Sequence, residues 1–296
     1  MAASIRKTLS AIGIYKELTV IRLTLLVAAT AFVGYWLAGG RLGEWPLLLG
    51  ATLGTALLSG GANSFNQWME WRRDALMDRT KGRPLPSGRM SRLHAGLFSL
   101  AMSLTGALLL FLFTNRLTAI LGLAAFLVYL VAYTPMKRRS PLNTLVGAIS
   151  GALPPMMGWA AVTGDLPLGA WILAALLFFW QIPHFLALAW LYRDDYERGG
   201  FLMLPHRDPD GRLTAQVALL YTLPLLPLGI SLSLAGVNGR IFAVASMVLG
   251  IFFMLRAWGL YRNPGRDAAR RLFLASVMYL PVLLIIMILD AKRPGL

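Results

Sequence analysis

Cysteine is absent from the 296-residue chain. That excludes thiolate catalysis, disulfides and Cys-ligated metal centres. Charge is scarce as well. Asp, Glu, Lys and Arg make up 14% of the residues, against about 25% in a typical soluble domain. Acids are the scarcer sign, 13 against 28 bases, which leaves a net charge of +15. A clear cleavable signal is also missing. Residues 1–17 are short, weakly basic and run straight into an apolar stretch, and a mitochondrial presequence would be longer. These features point to a bacterial inner membrane.

What the chain has in abundance is hydrophobic residues, 57% of the total, with a mean hydropathy of +0.63. Apolar runs of about 20 residues recur, each long enough to cross a bilayer as a helix. In lipid the backbone must satisfy its own polar groups, which helices do. The expectation is an all-α polytopic membrane protein with nine spans near 18–38, 46–68, 93–114, 117–134, 142–162, 168–191, 214–234, 240–258 and 270–289. They would form one domain, 18–296, behind an N-terminal segment, 1–17.

Twenty-three of the 28 Lys and Arg residues fall in the N-terminal segment and the loops on one side. The other side keeps Arg41, Arg116, Arg240, Lys292 and Arg293. The positive-inside rule then places the N-terminus and the charged loops in the cytoplasm and the C-terminus outside. The positive charge follows membrane-edge loops rather than one soluble face, so no nucleic-acid partner is implied. Ten of the 13 acids share the basic side, leaving Glu44, Asp165 and Asp290 opposite. Topology does not require that skew, because acids barely affect it.

The acids gather in NSFNQWMEWRRDALMDRTKGRPLPSGR, residues 63–89. If the second span continues past Phe65, Asn66, Glu70 and Asp74 line one stripe of a helix. One amide oxygen and two carboxylates make a hard oxygen site suited to Mg²⁺, which binds through carboxylates and the phosphates of a substrate. Arg79, Lys81 and Arg83 follow in the loop and would hold phosphate charge. Mutual salt bridges at a membrane edge are the competing account. They leave the four-residue spacing and Asn66 unexplained.

Two more segments face the same side. WQIPHFLALAWLYRDDYERGG carries His184 after Pro183, a candidate kink, and an ionisable residue within a span is a functional candidate. Arg193, Asp194, Asp195 and Glu197 follow at the cytoplasmic end. YTPMKRRSPLNT places Lys137, Arg138 and Arg139 after Pro135, which is expected to break the chain. Phe65, Trp68, Trp180, Phe185 and Tyr192 are candidate walls for an apolar substrate.

NQWMEWRRDALMDRTKGRPLPSG resembles the Asn-x-x-x-Asp/Glu-x-x-x-Asp motif of the UbiA superfamily of intramembrane prenyltransferases. Its wording, together with YTPMKRRSPLNTLVGAISGALPPMMGWAAVTG, WQIPHFLALAWLYRDDYERGGFLMLP and ARRLFLASVMYLPVLL, is similar to the heme-farnesylating branch. The resemblance covers nearly the whole chain from about residue 18. It implies a nine-helix bundle around a central cavity, farnesyl diphosphate and heme B as substrates, and Mg²⁺ as cofactor. It assigns Asn66, Glu70 and Asp74 to the first metal–diphosphate motif, with Asp194 and Asp195 in the region of the second. It assigns Arg79, Lys81, Arg83, Lys137, Arg138 and Arg193 to the diphosphate. His184 is left to orient heme, ligate its iron or assist water. A heme A synthase or terminal oxidase assembly is the protein partner it suggests. Many relatives carry an Asp-x-x-x-Asp second motif, and this chain departs from it; Arg72 also stands where relatives often have an acid. A quinone-ring precursor is the alternative acceptor. A transporter would need midplane charges and repeated halves, which the chain lacks.

Overall fold

A computed structural model describes residues 12–292. Residues 1–11 of the expected N-terminal segment, with Arg6 and Lys7, lie outside the described residues, as does Arg293. The described chain is a bundle of helices: α1 (Ile12–Leu18) and α2 (Ile21–Leu37), α3 (Trp45–Asp74), α4 (Arg92–Phe113), α5 (Arg116–Met136) and α6 (Asn143–Thr163). After α7 (Leu168–Leu191) come the short α8 (Arg193–Arg198), α9 (Arg212–Leu234), α10 (Arg240–Arg262) and α11 (Arg266–Leu289). Eight of the helices are long and apolar enough to span a bilayer, and the bent pair α1–α2 makes a ninth. The nine expected spans all have counterparts.

The first span differs from the straight helix expected at 18–38. It bends by 61° between α1 and α2. Val20 there adopts φ 50°, ψ 56°, a left-handed conformation rare for a β-branched residue. The bend frees backbone carbonyls that lipid could not satisfy, and α3 supplies the partners. Gln67 Nε2 donates to Glu17 O and Leu18 O, both at 2.9 Å, Ser64 Oγ to Leu18 O at 3.3 Å, and Asn63 Nδ2 to Thr19 O at 3.3 Å. The polar run at the end of the second span therefore has a structural task as well.

Two further differences concern helix ends. The second span extends to Asp74, which keeps Asn66, Glu70 and Asp74 on one helical stripe. Pro135 does not break the chain: α5 runs on to Met136. Its preceding turns, Val128–Tyr133, are π-helical. The wider turn accommodates a proline ring that would otherwise meet the carbonyl four residues back. Thr134 Oγ1 takes up Tyr129 O at 2.8 Å. α7 continues through Pro183 to Leu191.

Close crossings hold the bundle together, as expected where lipid provides no hydrophobic drive between helices. A Cβ on Gly158 of α6 would lie 1.8 Å from Ala31 O of α2, and one on Gly106 of α4 would lie 2.4 Å from Leu58 N of α3. At one end of the bundle the connections are short. There Asp290 Oδ2 accepts from Phe242 N at 2.7 Å. At the other end the long connections 75–91, 137–142 and 192–211 converge into a roof.

Candidate active site

The roof rests on the last turns of α3. Asn66 Nδ2 donates to Glu70 Oε2 at 2.9 Å and to Thr134 Oγ1 of α5 at 3.0 Å. Lys137 Nζ, just past α5, reaches the same Glu70 Oε2 at 2.5 Å. One turn on, Arg83 pairs with Asp74 Oδ2 at 2.8 Å, and Thr80 Oγ1 ties the loop to Asp74 O at 2.9 Å. All four partners lie within or against the protein, and Asp74 is only 1% exposed. Buried ion pairs carry a desolvation penalty that salt-bridge stability rarely recovers. Stability alone is therefore a poor reason for them.

Each of the three residues on the stripe has an oxygen to spare. Glu70 Oε1 is buried with no hydrogen-bond partner. Asn66 Oδ1 and Asp74 Oδ1 make no hydrogen bond with any described residue. Uncommitted hard oxygens of this kind fit Mg²⁺. Among the described residues no three His, Cys, Asp or Glu side chains gather around one point. Two carboxylates and an amide would thus need phosphate oxygens to complete a coordination shell.

The expected five-residue metal set is divided. Asp195 is buried, but both its oxygens are engaged: Oδ1 accepts from Asp78 N at 3.0 Å and Oδ2 from Arg79 N at 3.3 Å, and Arg198 pairs with it. It orders the backbone of the 75–81 loop. Asp194 is 74% exposed and 3.4 Å from Arg193. Arg193 stacks on Trp190. Lys81 is exposed beside Asp78 at 2.7 Å, and the hydrogen bond and charge of Lys81 hold the Asp78 carboxyl below the usual range.

Arg79 is stacked rather than ion-paired, 5.2 Å from the Tyr192 ring and 5.6 Å from Tyr196. Burial pushes the Tyr196 phenol up, so it stays a neutral partner. Arg138 is exposed on the adjoining loop.

Beneath the roof lies a cavity of about 410 Å³, lined mostly by apolar side chains of α2, α3, α5, α6, α7 and α11. Asn63 and Tyr129 join it to the roof. Each lies about one helical turn from a roof residue, and Tyr129 OH donates to Asn63 Oδ1 at 3.2 Å. Trp180 and Phe185 line it as expected, whereas Phe65 and Trp68 line a separate groove with Arg92. They point away because the inward stripe of α3 belongs to Asn66 and Glu70.

His184 is on the cavity wall. Trp180 and Phe273 stack on its two sides, at ring distances of 5.2 and 5.1 Å. Its Nδ1 is 2.7 Å from Ser276 Oγ, and Ser276 Oγ donates its single proton to Phe273 O at 2.5 Å. Ser276 must therefore accept from His184, which places the ring proton on Nδ1 and a lone pair on Nε2. Nε2 has no partner among the described residues. Ser276, Tyr129, Asn63 and Thr134 were not found from the sequence. A polar residue within an apolar run was the only signal available.

A charged, oxygen-rich roof over an apolar membrane cavity defines a protein that handles an anionic head and a greasy tail. The profile of the UbiA prenyltransferase family matches residues 27–280, and the chain belongs to that family. It is 40% identical to the protoheme IX farnesyltransferase of Solibacter usitatus, over 95% of this chain and 99% of that protein. It is 44% identical to the protoheme IX farnesyltransferase of Koribacter versatilis, over 93% and 92% of the two chains. It also has the fold of a UbiA homologue from Archaeoglobus fulgidus bound to GPP and Mg²⁺, with a TM-score of 0.69, 16% identity, and coverage of 92% and 99%.

Proposed function

We propose that the chain transfers the farnesyl group of farnesyl diphosphate to the 2-vinyl group of heme B, with addition of water, giving heme O and diphosphate. The observation that carries this reading is the pairing of Glu70 with Lys137 and of Asp74 with Arg83 above an apolar cavity walled by His184. Its substrates agree with the names of the relatives. The protein is a multi-pass membrane protein, with the roof in the cytoplasm of a bacterium on the charge asymmetry of its loops.

Lys137, Arg83 and Arg79 share the diphosphate charge as the farnesyl C1–O bond breaks and its electron pair leaves with diphosphate. Lys81, Arg138 and Arg193 attract the anion from the rim. Asn66, Glu70 and Asp74 would hold Mg²⁺, which when bound would supply Lewis-acid stabilisation of the leaving group. The terminal vinyl carbon attacks farnesyl C1, and the cation left beside the porphyrin takes water and loses a proton. The cavity wall keeps bulk water from the first cation. Asp195 serves by holding the loop that carries Arg79, and Asp194 stays at the rim.

His184 ligates the acceptor's iron through Nε2. The alternative, a base for the water, would create an imidazolium with no acid within hydrogen-bond reach among the described residues. Such an ion in an apolar wall is costly.

Heme extraction and chromatography from membranes expressing the chain test the reading. Heme O should accompany the wild type and vanish with Asp74→Asn. Heme O in both would remove Asp74 from the centre of the chemistry. None in well-folded wild type supplied with both substrates and Mg²⁺ would overturn the reading.

A further inference from the structure

Arg22 lines the central cavity at the start of α2, two residues after the left-handed Val20. It is the only permanently charged side chain on that wall among the described residues. The cavity lining also includes Leu23, Leu26, Val27, Val277 and Pro281, all apolar, and the Arg22 side chain is exposed. It makes no hydrogen bond, ion pair or ring contact with any described residue.

The surroundings are built. The strained backbone at Val20 persists because Asn63, Ser64 and Gln67 hold the three carbonyls before it. A strained conformation survives only where its surroundings over-determine it. This break sets the rotation at which α2 leaves the bend, and with it the side from which Arg22 projects. In the roof, by contrast, Glu70 pairs with Lys137 and Asp74 with Arg83.

A guanidinium beside apolar surface seeks a carboxylate or phosphate, which it binds through paired hydrogen bonds. Farnesyl diphosphate brings its only anionic group to the roof. On the function proposed above, the second substrate carries two carboxylates on its ring edge, and a charged group is not buried without a partner. We propose that Arg22 is the anchor for a carboxylate of the acceptor, an anion subsite of the cavity distinct from the diphosphate roof. His184 lines the same cavity, so the cavity offers one grip for the ring's edge and another for its metal. A phospholipid phosphate shares the chemistry, and the test separates the two sources.

The full chain would be placed in nanodiscs of phosphatidylcholine alone or with phosphatidylglycerol, with heme B or its dimethyl ester as acceptor. Arg22→Gln should raise KM for heme B roughly tenfold, the scale of one charge-assisted hydrogen bond, while KM for farnesyl diphosphate stays within about twofold. The wild type should show the same rise with the dimethyl ester, and the variant should no longer distinguish the two acceptors. Arg22→Lys should restore part of the difference. Undiminished discrimination by Arg22→Gln, or a KM rise confined to farnesyl diphosphate, would overturn the anchor. A loss equal for both acceptors, whatever the lipid, would assign Arg22 to a phospholipid phosphate instead. A wild type that uses heme B and its diester equally well removes the anchor alone; one that farnesylates neither removes the proposed function with it.

Discussion

At the scale of the residue, one hydroxyl decides which nitrogen of His184 faces the cavity. Ser276 has one proton, directed at Phe273 O, and so can only accept from Nδ1. Trp180 and Phe273 confine the ring between them, which fixes its edge. Ser276 is thus a positioning residue, and its loss should weaken the ligand without removing it. Groups that orient a metal-binding imidazole typically change metal affinity by about 10–100-fold. Absorbance titration of the purified protein with ferric heme should give a His-ligated spectrum for wild type and none for His184→Ala. Ser276→Ala should need about tenfold more heme, and Ser276→Thr should restore most of the affinity. Equal spectra for all four proteins would take His184 off the iron.

At the scale of the element, the break between α1 and α2 sets a limit on what the chain discloses about itself. Apolar length marked the spans, and the four-residue spacing of Asn66, Glu70 and Asp74 marked the roof, because both depend on neighbours in sequence. The break depends on contacts 44 to 50 residues away. The tautomer of His184 depends on a residue 92 positions distant. Neither leaves a local pattern. Charge misleads in the same way: Asp194 and Asp195 are adjacent in sequence, yet one is exposed and the other buried under a loop. The break also makes its own prediction. Val20→Gly should remove the left-handed strain and stabilise the protein by about 1 kcal/mol. Gln67→Leu should remove the two shortest hydrogen bonds from α3 to the carbonyls of the bend and destabilise it by about 1–3 kcal/mol. Thermal melting in detergent would measure both, and a Val20→Gly protein less stable than wild type would count against strain at that turn.

At the scale of the whole molecule, function depends on direction. An anionic substrate must meet the bases, and a greasy product must remain in the bilayer. The three long connections meet at one end, where Asp195 ties the 192–211 segment to the 75–91 segment and Leu202 N ties it to Lys137 O at 2.7 Å. The roof is therefore a single unit on one face of the membrane. The excess of Lys and Arg on that face is the basis on which we propose that it is cytoplasmic. The absence of cysteine makes the assignment directly testable, because any introduced thiol is the only one in the chain. Arg139 lies exposed on the 137–142 connection and Asp165 exposed between α6 and α7, so neither substitution disturbs a buried contact. In right-side-out vesicles a membrane-impermeant maleimide should label Asp165→Cys and spare Arg139→Cys; inverted vesicles should reverse the pattern. Labelling of Arg139→Cys from the outside would put the diphosphate site on the face where its cytoplasmic substrate is absent, and the direction of the proposed reaction would have to be abandoned.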